Sequence, residues 1–186
     1  MKSKLLFLII SLLLLIIMSL SACKNGNELA PKEYDEYNQT MEKYFLAMVE
    51  KDLFTMKQYL SQPIIDQNPS IKNAEENDTP KRSDYKENMG DKYSIKGFDY
   101  FYDEFGEIYY SIEYYNFKRE RNDSLVFGVR KENNGLKVFN AYGLGGIGGS
   151  HVKEVNDGGY FTLSSIKEAM RKYPEHTFTV KKYPGD

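Results

Sequence analysis

The sequence predicts an α+β fold, in which an N-terminal helix pair packs on a curved antiparallel four-strand meander and an extra C-terminal helix and strand follow. Apolar side chains recur every three or four residues from 34 to 60, which is the period of an amphipathic helix. From 93 to 143 the pattern changes to a strand period, in segments rich in Tyr, Phe, Val and Ile. A second helical pattern and a short β-rich segment close the chain.

The composition limits the classes of protein to which this chain can belong. It has 186 residues, 25 basic and 27 acidic side chains, one Cys and no Trp. A net charge of -2 gives no clustered positive field, so we expect no nucleic-acid partner. A single Cys excludes an intrachain disulfide framework. The length fits one globular domain.

Residues 1–22 have the organisation of an export signal. Lys2 and Lys4 precede an apolar run that extends to Leu20, and small residues follow. The run ends Leu20-Ser21-Ala22-Cys23, which resembles the lipobox of bacterial lipoproteins. The resemblance implies that the signal is cleaved and that Cys23, carrying diacylglycerol and fatty acids such as palmitate, becomes the mature N-terminus.

A lipidated Cys23 would place the mature protein on the extracytoplasmic face of the cell membrane. Two acyl chains anchor a protein stably, whereas one does so only marginally. Residues 23–33 would then be the lipidated cysteine and a polar tether, and residues 34–186 a single α+β domain. Without its signal lysines the body is more acidic, so we expect the lipid to hold it on the membrane. The alternative is an uncleaved spanning helix, since the apolar run approaches the ~20 residues that a bilayer requires.

The helical segment 34–60 is predicted to divide near Lys51. Asp52 is a residue type that caps helix N-termini, and a second helix would begin at Leu53. Met and Tyr side chains at helical spacing indicate core packing. Residues 61–91 contain three prolines among many polar side chains, and we predict a long mobile loop there.

Four strands are predicted at 93–102, 108–120, 124–131 and 136–143. Asn133-Asn134-Gly135 favours a hairpin turn, because Asn and Gly tolerate a positive φ. Within the second strand, apolar and tyrosine residues alternate with a second set that combines polar residues and further tyrosines. The two alternating sets are Ile108, Tyr110, Ile112 and Tyr114, and Tyr109, Ser111, Glu113 and Tyr115.

The glycine-rich run 143–149 formally contains GxGxxG after a predicted strand. No helix pattern follows it directly, and a dinucleotide site requires one. We therefore expect a flexible connection or a bulge at the edge of the sheet. The last helix is predicted to begin near Leu163 and to end at Pro174, and a strand is predicted from Thr177 to Tyr183.

Asp99, Glu113 and His151 are the candidate catalytic residues, because two carboxylates and an imidazole brought into one pocket can act as acid and base. The competing interpretation is that Asp99 and Glu113 are solvent-facing strand residues. The chain contains no GxSxG or SxxK motif. The second histidine, His176, is distant in sequence, and no metal-ligand spacing occurs, so we expect neither a metal site nor a cofactor.

Candidate binding residues come from the tyrosine-rich strands, which carry more aromatic side chains than one buried face needs. They are Tyr100, Tyr102, Tyr109 and Tyr115. An exposed tyrosine surface suits contacts to protein or glycan. The alternative is that the C-terminal helix and the long loop cover this face.

The helix pair Met41–Leu60, followed by long antiparallel strands, resembles small Gram-positive lipoproteins with a nuclear transport factor 2-like or cystatin-like domain. The resemblance implies a sheet that wraps the helices into a cone, and a binding or assembly module with a protein or cell-envelope partner. Two alternatives stay open. One is an enzyme similar to polyketide cyclases that uses Asp99 or Glu113, and the other is an immunity or inhibitor lipoprotein against an envelope-targeting toxin.

Overall fold

The computed structural model of the chain confirms the α+β prediction. It describes residues 29–79, 84–90, 92–141, 145–146, 153–154, 160–161 and 166–182. The α-helices are α1 (Asp35–Glu50), α2 (Leu53–Tyr59), α3 (Gln62–Gln67), α4 (Pro69–Lys72), α5 (Asp84–Met89), α6 (Tyr102–Phe105) and α7 (Ile166–Lys172). Short 3-10 helices span Lys32–Tyr34 and Pro174–His176. The strands are β1 (Tyr93–Phe98), β2 (Glu107–Asn116), β3 (Arg121–Glu132), β4 (Gly135–Ala141), β5 (Gly145–Gly146), β6 (Lys153–Glu154), β7 (Tyr160–Phe161) and β8 (Thr177–Lys181).

The predicted helix pair is α1 and α2, and it divides where the sequence indicates. Lys51 adopts a left-handed conformation with φ 58°, and its N–H donates to the carbonyls of Ala47 and Met48, which ends α1. Asp52 then caps α2, because its carboxylate accepts a hydrogen bond of 3.0 Å from the Thr55 N–H. Hydrogen bonds from Thr55, first from its side chain and then from its backbone N–H, lower the pKa of Asp52.

The main sheet is antiparallel and has the strand order β5-β4-β3-β2-β1-β8. Strands β1 to β4 form the predicted meander, and Gly135, with φ 108°, stands in the predicted turn between β3 and β4. The C-terminal strand β8 pairs with β1, so that Thr177 lies opposite Phe98. β6 and β7 form a separate two-stranded sheet.

Alternation along β2 places buried side chains on both faces of the sheet. On the first face, Tyr110 lies in the core beneath α1, and its hydroxyl donates a hydrogen bond of 2.9 Å to Asn38 Oδ1. On the second face, α7 covers Tyr109. The core of the second face consists of Phe98, Phe101, Tyr109, Phe139, Ile166, Ala169 and Met170. Both faces are therefore packed, rather than one packed and one exposed.

The prediction of a loop without regular structure at 61–91 is wrong, because α3, α4 and α5 lie in this region. Pro63 and Pro69 stand in the first turns of α3 and α4, where proline needs no N–H partner and helps a helix to begin. Ile64, Ile65 and Ile71 are buried in the core and hold these short helices against it. Residues 80–83 and 91 lie outside the described part of the chain.

The predicted first strand is too long, because β1 ends at Phe98 and α6 begins at Tyr102, before the predicted end of that strand is passed. The C-terminal helix and strand are confirmed as α7 and β8. Within the glycine-rich run, Gly145 and Gly146 pair with the end of β4, and the rest of the run lies outside the described residues. Cys23 and the predicted signal also lie outside them. Among the described helices, none has both the length and the apolar character of a membrane span.

Candidate functional site

Asp99 directly follows β1 and connects three segments of the chain. Its Oδ1 lies 2.9 Å from Nδ1 of His176, in the 3-10 helix that precedes β8. Its Oδ2 accepts a hydrogen bond of 3.1 Å from the hydroxyl of Tyr34, in the 3-10 helix that precedes α1. The backbone strengthens the connection, since the Asp99 N–H donates to the His176 carbonyl at 3.0 Å.

This cluster has the arrangement that orients an imidazole. A carboxylate at Nδ1 fixes the tautomer of a histidine and leaves Nε2 for proton transfer. The His176 side chain is 40% exposed and packs edge-on against Tyr100 at 5.0 Å. Burial, together with the Asp99 charge, raises the pKa of Tyr34, so its hydroxyl stays a proton donor.

Glu113 lies on β2 and forms ion pairs with two lysines. Its carboxylate is 3.6 Å from Lys96 on β1 and 3.2 Å from Lys167 on α7. Burial alone would raise the pKa of Glu113, but the two ammonium groups outweigh it and hold the pKa below its usual value. The Lys167 pair connects α7 to the sheet, beside a groove of about 160 Å³.

The structure does not bring Asp99 and Glu113 together. Glu113 is paired with Ser94 near the start of β1, whereas Asp99 follows the end of that strand. Five residues of extended chain separate the two positions by about 16 Å. His151, the third candidate, lies outside the described residues.

Of the four candidate tyrosines, only Tyr115 is exposed. Tyr109 is buried on the second face, where burial and the neighbouring Glu107 raise its pKa. Tyr102 packs edge-on against Tyr34 at 4.8 Å, on the side of α1. Tyr100 packs against residues of the C-terminal segment. Tyr109 is therefore covered, as the alternative interpretation holds, whereas Tyr100 and Tyr102 are partly exposed.

A buried charge pair that the sequence analysis did not single out joins β2 and β3. Glu107 is 4% exposed, accepts a hydrogen bond of 3.3 Å from the Tyr109 hydroxyl, and has an oxygen 3.8 Å from Arg130 Nη1. Arg130 also pairs with Glu132 at 3.1 Å and lies over the Phe139 ring at 4.7 Å. Detecting this pair from the sequence requires the strand register, which places Glu107 opposite Arg130.

The connection between β2 and β3 forms the most exposed aromatic feature of the described residues. Residues 115–121 are called the hairpin tip here. Tyr115 and Phe117 are 42% and 53% exposed, and their rings meet edge-on at 5.4 Å. Lys118, Arg119 and Arg121 follow them directly. The tip thus combines two exposed rings with three cations.

Local hydrogen bonds give the hairpin tip a defined shape. Asn116 accepts a hydrogen bond of 3.0 Å from the Arg119 N–H and donates one of 2.9 Å to Asp123. Arg121 Nε donates to the same Asp123 carboxylate at 2.9 Å. Glu120 adopts a left-handed conformation with φ 51° to close the turn. Beside the tip runs a groove of about 590 Å³ between the hairpin and α5.

The described residues contain no cluster of three or more side chains suited to hold a metal ion. Comparison with known proteins does not assign the chain to a family. No protein-family model matches the chain. The searches of curated proteins and of solved structures likewise found no match.

Proposed function

We propose that this chain is an extracytoplasmic lipoprotein, anchored in the cell membrane through diacylglyceryl Cys23, and that it acts as a non-enzymatic binding or assembly module. The anchor rests on the sequence Leu20-Ser21-Ala22-Cys23 at the end of an apolar export signal. Two acyl chains are sufficient for stable membrane residence.

One observation carries the choice of a binding module over an enzyme. Asp99 follows the end of β1 and is hydrogen-bonded to His176 and Tyr34. Glu113 lies on β2, opposite the start of β1, and forms ion pairs with two lysines. A pair of acid and base groups must reach one substrate, and a separation of about 16 Å along the strand prevents this. The exposed groups of the hairpin tip are instead suited to a contact surface.

The test compares cells that lack the protein with cells that carry the wild type, Cys23→Ser or Asp99→Asn. Asparagine keeps the shape of Asp99 and one acceptor oxygen, but it replaces the other oxygen by an NH2 donor and removes the charge. Under any condition in which the deletion changes growth or envelope integrity, Asp99→Asn is expected to restore the wild-type phenotype and Cys23→Ser to fail. Equal protein amounts, measured by immunoblot, are the control.

A second candidate function is an acid–base enzyme centred on Asp99, and the short contact between Asp99 and His176 is the observation that favours it. For that function the same experiment gives the opposite result. Asp99→Asn would abolish complementation while the protein stays folded and correctly localised. The outcome for this one variant therefore separates the two functions.

A further inference from the structure

Backbone hydrogen bonds hold the part of the hairpin tip that carries the two rings. The Phe117 N–H donates a hydrogen bond of 2.8 Å to the Asn88 carbonyl of α5, which attaches the tip to the body of the domain. Its neighbour Tyr115 is fixed by the pairing of β2 with β3. Aromatic rings are enriched where proteins meet the headgroup region of a bilayer. A fixed, exposed pair of rings therefore suits insertion at this depth.

The charge around the rings suits an anionic lipid surface. Arg119 and Arg121 are each 61% exposed even though both contact Asp123. Lys118 forms no ion pair among the described residues. Each cation close to an anionic membrane contributes about 1 kcal/mol to attraction. Glu120 in the tip and Asp123 just beyond it oppose these three cations, so the tip keeps an excess of one positive charge, which Lys118 carries on its exposed side chain.

At the opposite end of the sheet, two segments beside Asp99 form an acidic patch, although Arg130, Lys131 and Lys137 of β3 and β4 place cations at the same end. The segments Lys32–Glu36 and Tyr102–Gly106 lie together there, because the Tyr37 hydroxyl donates to the Gly106 carbonyl at 3.0 Å. Lys32 is the one cation in these two segments. Their exposed carboxylates are Glu33, Asp35, Glu36, Asp103 and Glu104. An anionic surface would repel this acidic patch and attract the cations of the hairpin tip.

The extended length of the tether is comparable with the distance between Leu29 and the level of the hairpin tip. Leu29 forms an isolated bridge with Thr179 of β8. Thr179 is paired with Lys96 of β1, which is paired with Ser111 of β2, so Leu29 and Ser111 lie at the same height in the sheet. Six residues of β2 and its extension separate Ser111 from Phe117, or about 20 Å. The six residues from 23 to 28 span up to about 20 Å when extended. A tilt of the strands shortens the required distance further.

We propose that the hairpin tip is a second membrane contact, which rests on the headgroups of anionic lipids while Cys23 anchors the chain. This inference rests on the proposed lipid anchor. It sets the orientation of the domain: β2 and β3 point towards the bilayer, and the end with Asp99 and His176 faces away. That acidic end then remains accessible to a partner.

The test uses single tryptophans, because the chain contains none. Phe117→Trp places the reporter at the tip, and Phe105→Trp is the matched control at the acidic end, where Phe105 is 45% exposed. The lipidated proteins are extracted from membranes and reconstituted into vesicles of phosphatidylglycerol and brominated phosphatidylcholine in equal parts. Bromine quenches only a tryptophan that reaches the bilayer.

We expect a blue shift and at least twofold quenching for Phe117→Trp and neither for Phe105→Trp. Adding Lys118→Glu to the Phe117→Trp protein is expected to lower the equilibrium constant for tip contact roughly tenfold. Lys118 forms no described ion pair, so its replacement should leave the hairpin intact, and far-ultraviolet circular dichroism checks this. Molar salt should weaken the contact in the same way.

Equal quenching at both positions, or quenching of Phe105→Trp alone, would overturn the proposed contact. The proposed contact would also be wrong if the fluorescence of the tip tryptophan changes with a soluble anionic cell-wall polymer but not with vesicles. The hairpin tip would then be a binding surface for that polymer. Flotation of the protein with vesicles tests the lipid anchor separately from the tip contact. If the lipidated wild type floats with vesicles and Cys23→Ser does not, the proposed function stands whatever the tryptophans show.

Discussion

Gly97→Ala is expected to destabilise the domain by about 1–3 kcal/mol, because it overpacks a site that cannot relax. Gly97 lies in β1, next to Phe178 of β8. A Cβ at Gly97 would lie 2.1 Å from Cζ and 2.3 Å from Cε2 of the Phe178 ring. The ring is buried, with 4% of its surface exposed, so it cannot swing into solvent. Either the ring or the pairing of β1 with β8 must shift.

Urea unfolding of the non-lipidated mature chain, which carries Cys23→Ser, measures this cost. Ser94→Ala, in the same strand, is the control and is expected to stay within about 0.5 kcal/mol of the wild type. Phe178→Leu removes the ring atoms that an alanine at position 97 would meet. The double variant should therefore lose at least about 1 kcal/mol less than the sum of the two single variants. A neutral Gly97→Ala, or strict additivity, would refute the placement of β8 beside β1.

Three further predictions concern single side chains. Tyr110→Phe is expected to lower the free energy of unfolding in urea by about 1–2 kcal/mol, because the buried side-chain amide of Asn38 in α1 loses its hydrogen-bond donor. Tyr44→Phe should be neutral or stabilising, since no described residue forms a hydrogen bond with that buried hydroxyl. Asp52→Ala should cost about 1 kcal/mol through loss of the α2 cap, and an unchanged urea midpoint would count against it. Glu113→Gln should cost at most about 1 kcal/mol at neutral pH, because the carboxylate is partly exposed and screened. Because the pKa of Glu113 is lowered in the folded state, this stabilisation is present above the usual pKa and should be lost as the pH falls through the lowered pKa. A difference from wild type that persists in stronger acid would contradict the ion pairs.

Local signals were sufficient to predict the main elements of the fold. The helix pair follows from apolar spacing, and the boundary between its members follows from Asp52, whose short carboxylate can satisfy the N–H groups at a helix start. The turn before β4 follows from Gly135, since glycine adopts its φ of 108° without strain. Pattern and turn chemistry are properties of a few adjacent residues, so a single sequence contains them.

The errors have physical causes that can be traced to particular residues. Pro63 and Pro69 were interpreted as loop residues, although proline also starts helices, and the burial of the isoleucines beside them decides between the two cases. The sequence leaves open whether the face of Tyr109 is exposed or covered by the C-terminal helix, and α7 covers it. That packing brings together residues far apart in the chain.

The candidate site was the hardest part to predict, because its contacts are long-range. Asp99 and His176 are 77 residues apart in sequence. They meet only because β8 pairs with β1, and the register of that pairing places His176 beside the end of β1. The sequence marked Asp99 as a candidate but associated it with Glu113, which the register places near the other end of the strand. Side-chain type can be read from a sequence, whereas register depends on the assembled sheet.

The central claim is that a lipid on Cys23 holds the domain at the membrane. Its most direct test is mass spectrometry of the N-terminal peptide, from protein extracted from the membrane fraction of cells that express the natural chain. We predict a peptide that begins at Cys23 and carries the added mass of a diacylglyceryl group. A chain that still begins at Met1, or a Cys23 with a free thiol, would contradict the lipid anchor and with it the proposed location.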